Sequence, residues 1–370
     1  MFPRGGVALK REWVADRAEV FGSVSDLDAL LVGPCRTEDL AGLLLATLRL
    51  NLPTVFAPDG NHPFDIVPYA LGLASPDAEP AEVVVRIARS GGSRPRALID
   101  TFSLANALKA GAAVGVGPEL LVHLAALARE AGVAGFDQMI RVLAPETPEV
   151  SPDWLREHGV PGLLSALGDT LHDAPTVTGN LKENLPHSPS PSDEHARLVF
   201  VRARASGAEA VCRVNKGVTE AAGECLVFDS EKEAVSGVRS GEVREGSMVV
   251  VGGCGPRGGP GLLRLDGLGR SLREAGLEVP VLTDGLAPKD AARTWISLFT
   301  PEATEGGVIG LLHDGDALRI DLTEGRIRTG IGARELTTRL PGTFPDRAGT
   351  AYAARYARAA LPALEGAGFG

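Results

Sequence analysis

The stretch from Met248 to Gly315 limits what this chain can fold into more than any other. Two apolar runs in it, Met248–Val251 and Val279–Leu282, are short and mostly β-branched, as buried strands are. Between them lies a loop, Gly252–Gly261, with glycine at 252, 253, 255, 258, 259 and 261. That density lets backbone take φ > 0 and approach a neighbour or ligand closely. Thr283-Asp284-Gly285 reads as a strand-end turn, and His313-Asp314-Gly315-Asp316 as a hairpin signal.

Upstream, Leu27–Val32 and Leu52–Phe56 are strand candidates, separated by the helical run Leu40–Leu50. Thr37 is its expected N-cap. A strand–helix–strand unit implies a parallel sheet. Glu82–Ala88 and Arg94–Ile99 fit strand or helix, and Leu120–Gly132 reads as an amphipathic helix ending at a glycine. Proline and serine crowd PHSPSPSD at 186–193, the clearest linker. The expected fold is an α/β N-terminal domain with a parallel sheet, over 1–187, and a β-barrel-like C-terminal domain, over 196–340. A linker at 188–195 joins them, and a helical tail follows over 341–370.

With 370 residues the chain is long enough for two cores. A net charge of −10 and the lack of a basic patch argue against nucleic acid. No apolar run reaches the roughly 18 residues of a membrane span, and the N-terminus lacks an apolar signal core. The expected setting is cytoplasmic. Four scattered cysteines, 35, 212, 225 and 254, form neither a disulfide framework nor a zinc pattern.

Taken in order, these pieces resemble the dihydroxy-acid dehydratase / phosphogluconate dehydratase family. Gly255–Gly261 matches its Gly-Pro-x-Gly-Gly-Pro-Gly loop, and Thr283-Asp284-Gly285 the start of its Thr-Asp-Gly-Arg-Phe-Ser-Gly turn. Thr300–Gly307 and Asp314-Gly315-Asp316 follow in the family's order and spacing. DALLVGPCRTEDL, LRLNLPTVF, TVTGNLKENL and ECLVFDSEKEA extend the likeness across the chain. The resemblance implies dehydration of a vicinal dihydroxy acid, with an iron–sulfur cluster and magnesium acting on the substrate oxygens and a serine as base.

Several residues that would carry that chemistry differ. Cys35 matches one cluster cysteine, but Ile99 stands at the second, and no cysteine lies upstream of Cys35 for the third. Arg36 and Thr37 stand where the family has its magnesium-binding aspartate and carbamylated lysine. A guanidinium ligates no cation. Pro288 replaces the serine, Cys254 and Arg264 replace acidic residues, and Gly115–Glu119 replaces the Gly-Gly-Ser-Thr-Asn loop. No cofactor is therefore expected. The expected function is a cofactor-independent lyase, isomerase or transferase acting on a small polar acid. A non-catalytic binding or partner subunit on the same fold is the alternative, and metal-dependent dehydration ranks below both. In the enzyme reading Cys35 or His62 is nucleophile or base, with Asp59 beside them on the loop after the second strand. Asp100, Ser103, Asn106, Gly258, Gly259 and Asp284 are the candidate substrate-binding residues. By resemblance the chain is expected to form a homodimer.

Overall fold

A computed structural model describes residues 6–60, 62–183, 185, 187–189, 191, 194–203, 206–289, 291, 294–344 and 347–370. The expected linker thus falls partly outside the described residues. The chain divides into two compact units, Lys10–Arg197 and Met1–Leu9 with Leu198–Gly370.

The unit Lys10–Arg197 is mainly helical. After helix α1 (Val7–Val24), strands β1 (Leu30–Val32) and β2 (Thr54–Phe56) pair in parallel, Leu30 opposite Thr54 and Val32 opposite Phe56. Helix α2 (Thr37–Leu50) is the crossover between them. Thr37 opens this helix, but the capping position belongs to Arg36, which makes no side-chain cap. The acidic side chains of Glu38 and Asp39 complement the positive helix end instead. Six helices follow: α3 (Ile66–Ala70), α4 (Pro80–Ser90), α5 (Pro95–Leu98), α6 (Thr101–Ala113), α7 (Glu119–Glu130) and α8 (Phe136–Glu146). Strand β3 (Glu149–Val150) pairs with residues 194 and 196. Helix α9 (Pro152–Ala166) and a hairpin, β4 (Pro175–Thr176) with β5 (Gly179–Asn180), complete the unit. Leu44, Leu48, Leu104 and Leu108 are fully buried in its core. At Gly111 a Cβ would lie 2.5 Å from Leu120 Cδ1, so the Leu120 side chain packs into the space the glycine leaves between α6 and α7.

The other unit is a closed eight-stranded barrel. Its strands are β6 (Glu194–Ala203), β7 (Ala208–Asn215), β8 (Glu220–Phe228), β9 (Ser247–Val251), β10 (Val281–Thr283), β11 (Trp295–Thr300), β12 (Ala317–Asp321) and β13 (Arg326–Thr329). They run in the order β13-β12-β8-β9-β10-β11-β7-β6, and β13 closes on β6 through Arg326 and Arg202. Met248 and Val250 point into the barrel with Cys212, Leu282 and Ile296. Val249 and Val251 point outward, under Ala234, Val238, Leu268 and Leu272. Both faces of β9 are covered, which is why it reads as an unbroken apolar run.

Those outer residues belong to helices α10 (Glu231–Ser240) and α11 (Asp266–Glu274). They cross between the parallel strands β8, β9 and β10, so the barrel is part α/β where the sequence suggested strands alone. The His313–Asp316 turn leads into β12 rather than joining a hairpin, because β11 pairs with β7 and β10. Helices α12 (Ala333–Leu336) and α13 (Ala351–Ala359) end the chain, the latter stopped before Pro362. Among the described residues no helix is long and apolar enough to cross a membrane.

Candidate functional site

In the barrel unit the glycine loop follows β9 and Asp284 follows β10, both at carboxyl ends of parallel strands, where α/β sites form. Two buried carboxylates hold the loop. Asp284 accepts from Gly253 N at 3.0 Å, Cys254 N at 2.7 Å and Ala303 N at 2.9 Å. Glu302 Oε2 accepts from Gly258 N at 3.0 Å and Arg257 N at 3.2 Å. A Cβ at Gly255 would lie 2.4 Å from the same Glu302 oxygen, so the carboxylate's approach requires glycine there. Burial raises the Asp284 carboxyl above its ordinary range. Burial, opposed by the Gly258 and Arg257 amides and reinforced by the charges of Asp284 and Glu305, pushes Glu302 up to about 7.

The candidate binding groups here have partners within the chain. Gly258 N and Asp284 are engaged as described, and Gly259 N donates to Gly255 O at 3.0 Å. The Phe344 ring lies against Gly252 and Gly253. Arg347 donates to the carbonyls of Gly253 and Asp229. Pro288, at the family's serine position, packs where a side chain on Gly269 would be. Sequence reading missed Glu302, whose motif was visible but whose burial is a tertiary fact.

In the helical unit Cys35 follows β1 and Asp59 follows β2, so both loops leave the same end of the two-stranded sheet. Lys10 Nζ lies 3.1 Å from Asp39 and 3.7 Å from Glu38. Burial first, then the charges of Asp39, Asp65 and Asp59, push the Cys35 thiol up to about 11. A thiol held neutral near pH 7 is a poor nucleophile, which weighs against Cys35 in that role. No local sequence pattern marks Asp65. It is 3% exposed, accepts from His62 N at 3.2 Å and lies close to the Asp59 carboxyl. Burial raises its carboxyl, and the Asp59 charge adds to that. His62 and Asp59 are exposed beside it.

Asp100, Ser103 and Asn106 form a different constellation. Asp100 caps α6, accepting from Phe102 N and Ser103 N at 2.9 Å, and Ser103 Oγ accepts from Asp100 N at 2.9 Å. Asn106 is fully buried and pairs with both backbone groups of His172 at 2.8 Å. Asp100 Oδ1, Ser103 Oγ and the Asn106 side-chain amide thus have partners within the fold.

Cys212 and Cys225 face the barrel core, their thiols pushed up to about 12 by burial, and burial raises Cys254 further. Cys35 belongs to the other unit. Among the described residues no three His, Cys, Asp or Glu side chains are arranged to hold a metal ion.

The chain is similar in sequence to known dehydratases. The dihydroxy-acid dehydratase of Anaeromyxobacter dehalogenans (strain 2CP-C) is 28% identical over 461 aligned positions, covering 96% of this chain and 82% of its own length. That of Archaeoglobus fulgidus is 25% identical over the same shares. Dihydroxy-acid dehydratase 1 of Methanosarcina acetivorans is 30% identical over 80% of this chain and 62% of its own length. The first alignment is longer than the chain's 370 residues, so that relative carries segments this chain lacks. Residues 189–367, which include every barrel strand after the start of β6, match the dihydroxy-acid/6-phosphogluconate dehydratase C-terminal domain, and with the full-length relatives this shows that the chain belongs to that dehydratase family.

Proposed function

We propose that this dehydratase-family protein is a cofactor-independent acid–base enzyme of the lyase or isomerase type, with Asp59 and Asp65 as its proton-transfer pair. The observation that carries the reading is the closeness of these two carboxyls, one buried and one exposed, beside His62. Burial and the neighbouring Asp59 charge raise the Asp65 carboxyl, so it keeps its proton to higher pH than an ordinary aspartate. Asp59 and His62 lie at the solvent side and exchange protons with substrate, and Asp65 holds the reserve. Lys10, whose charge reaches Cys35, and Arg36 next to it in sequence are the cations available to a substrate carboxylate. Cys35 lies near these carboxyls as a neutral thiol. The donor set supports chemistry without the family's cluster and magnesium, because the residues at those ligand positions are Arg36, Thr37 and Ile99.

The test is incubation of the full chain in deuterated water with a panel of short hydroxy acids, read by NMR for deuterium uptake and product. We expect at least one acid to exchange or react. Asp65→Asn and Asp59→Asn should lower the rate by about 10²-fold or more, the usual scale of general acid–base catalysis, with unchanged urea midpoints. Full rates in both variants would remove the pair from the mechanism. Binding without exchange by the unaltered chain would identify a binding subunit instead.

A further inference from the structure

The TVTGN hairpin has no part in the reading above, yet it forms one wall of a cleft within the helical unit. The cleft encloses about 180 Å³. That is below the roughly 300–1,000 Å³ of pockets for drug-sized ligands, so its occupant is a single small ring or a short chain. Its walls are fixed. Val177 N donates to Gly72 O at 2.9 Å, which docks the hairpin on the segment after α3. Gly72 takes φ +76 with Pro175 O 2.4 Å from where a Cβ would be, so no larger residue allows this docking. Arg86 Nη2 on α4 donates to Val177 O at 3.3 Å.

The chemistry of the lining is mixed in a particular way. Leu164, Leu181 and Ala74 line the cleft and are buried, at 0%, 6% and 3% exposure. Tyr69, Ser75, Thr176 and Thr178 contribute hydroxyls, and Asn180 an amide. Thr176 Oγ1 and Thr178 Oγ1 lie 3.3 Å apart. No hydrogen bond to another described residue occupies the Tyr69 hydroxyl. Charged groups are Asp77 and Glu183 against Arg86, two negative to one positive. Glu183 is positioned by Asn180 N at 3.1 Å. Alternating donors and acceptors suit adjacent hydroxyl groups, and an aromatic ring with aliphatic neighbours suits the C–H face of a sugar. The excess negative charge disfavours anions.

We propose that this cleft binds a neutral polyol of sugar size, with Tyr69, Asn180 and Arg86 contacting its hydroxyls. The proposal is independent of the Asp59–Asp65 reading. It is tested on the full chain by ligand-observed NMR titration with D-xylose, xylitol and D-glucose, and with gluconate and inorganic phosphate as comparators. We expect saturable binding of at least one neutral compound, with a dissociation constant on the order of millimolar. Y69F and N180A should weaken it about tenfold with unchanged urea midpoints. Saturation by none of the three neutral compounds would overturn the proposal. So would tighter binding of gluconate or phosphate, which means an anion site, or binding that both variants leave intact, which means a site elsewhere.

Discussion

Replacing Glu302 by glutamine should change how the stability of the chain depends on pH. The Glu302 carboxyl is 4% exposed and is pushed from an ordinary 4.5 to about 7. That displacement corresponds to about 3 kcal/mol between its protonated and charged forms. The folded chain binds the proton more tightly than the unfolded chain does. Stability from this group is therefore fully present below about pH 4.5 and is lost as pH rises through about 7. Glutamine is neutral throughout and still offers a carbonyl to Gly258 N and Arg257 N. Urea denaturation of both proteins from about pH 5 to about pH 8 isolates the effect. The Asp284 carboxyl is raised in the same direction, but it is present in both proteins and largely cancels in the difference. The variant should gain about 3 kcal/mol relative to the parent across that range. A difference that stays flat with pH would show that Glu302 is charged in the folded chain at all these values, and the argument from burial would be wrong.

Two further outcomes are expected. Alkylation of Cys35 by iodoacetamide, followed by mass spectrometry, should be slow at neutral pH and rise with pH towards about 11; rapid modification at pH 7 would refute a neutral thiol. Leu44 is fully buried in α2, so Leu44→Ala should cost about 3 kcal/mol in urea denaturation, and a loss below about 1 kcal/mol would mean the site collapses around the smaller side chain.

Much of the fold was legible where local chemistry and burial agree. The β9 run and the β1–α2–β2 unit read correctly because their apolar residues meet neighbours on the faces that sequence spacing assigns them. Helix α10 was hidden by its charged composition, although a capping signal was present. Ser230 Oγ accepts from Glu233 N at 3.3 Å, and Glu233 reaches back to Asp229 N at 3.1 Å. The arginine at the α2 cap was not foreseeable, since Thr37 has the better side chain for the position. Site residues were harder. Asp100, Ser103 and Asn106 are polar residues in a helix start, and whether they meet a ligand or each other depends on contacts far along the chain, such as Asn106 with His172. Asp65 and Glu302 owe their altered acidity to burial, which no local pattern records.

The closure of the barrel has a consequence for how it forms and fails. Arg202 pairs with Arg326, 124 positions apart, so the ring cannot be completed until β13 has left the ribosome. Until then β12 presents an open row of backbone donors and acceptors, and so does β6 beyond the residues that pair with β3, the template on which other chains aggregate. Ring closure between such distant segments is slow. A chain cut short before Arg326 would keep both open edges for good. Strand β13 thus acts as a seal on the sheet, protecting the product during synthesis whatever the site goes on to do.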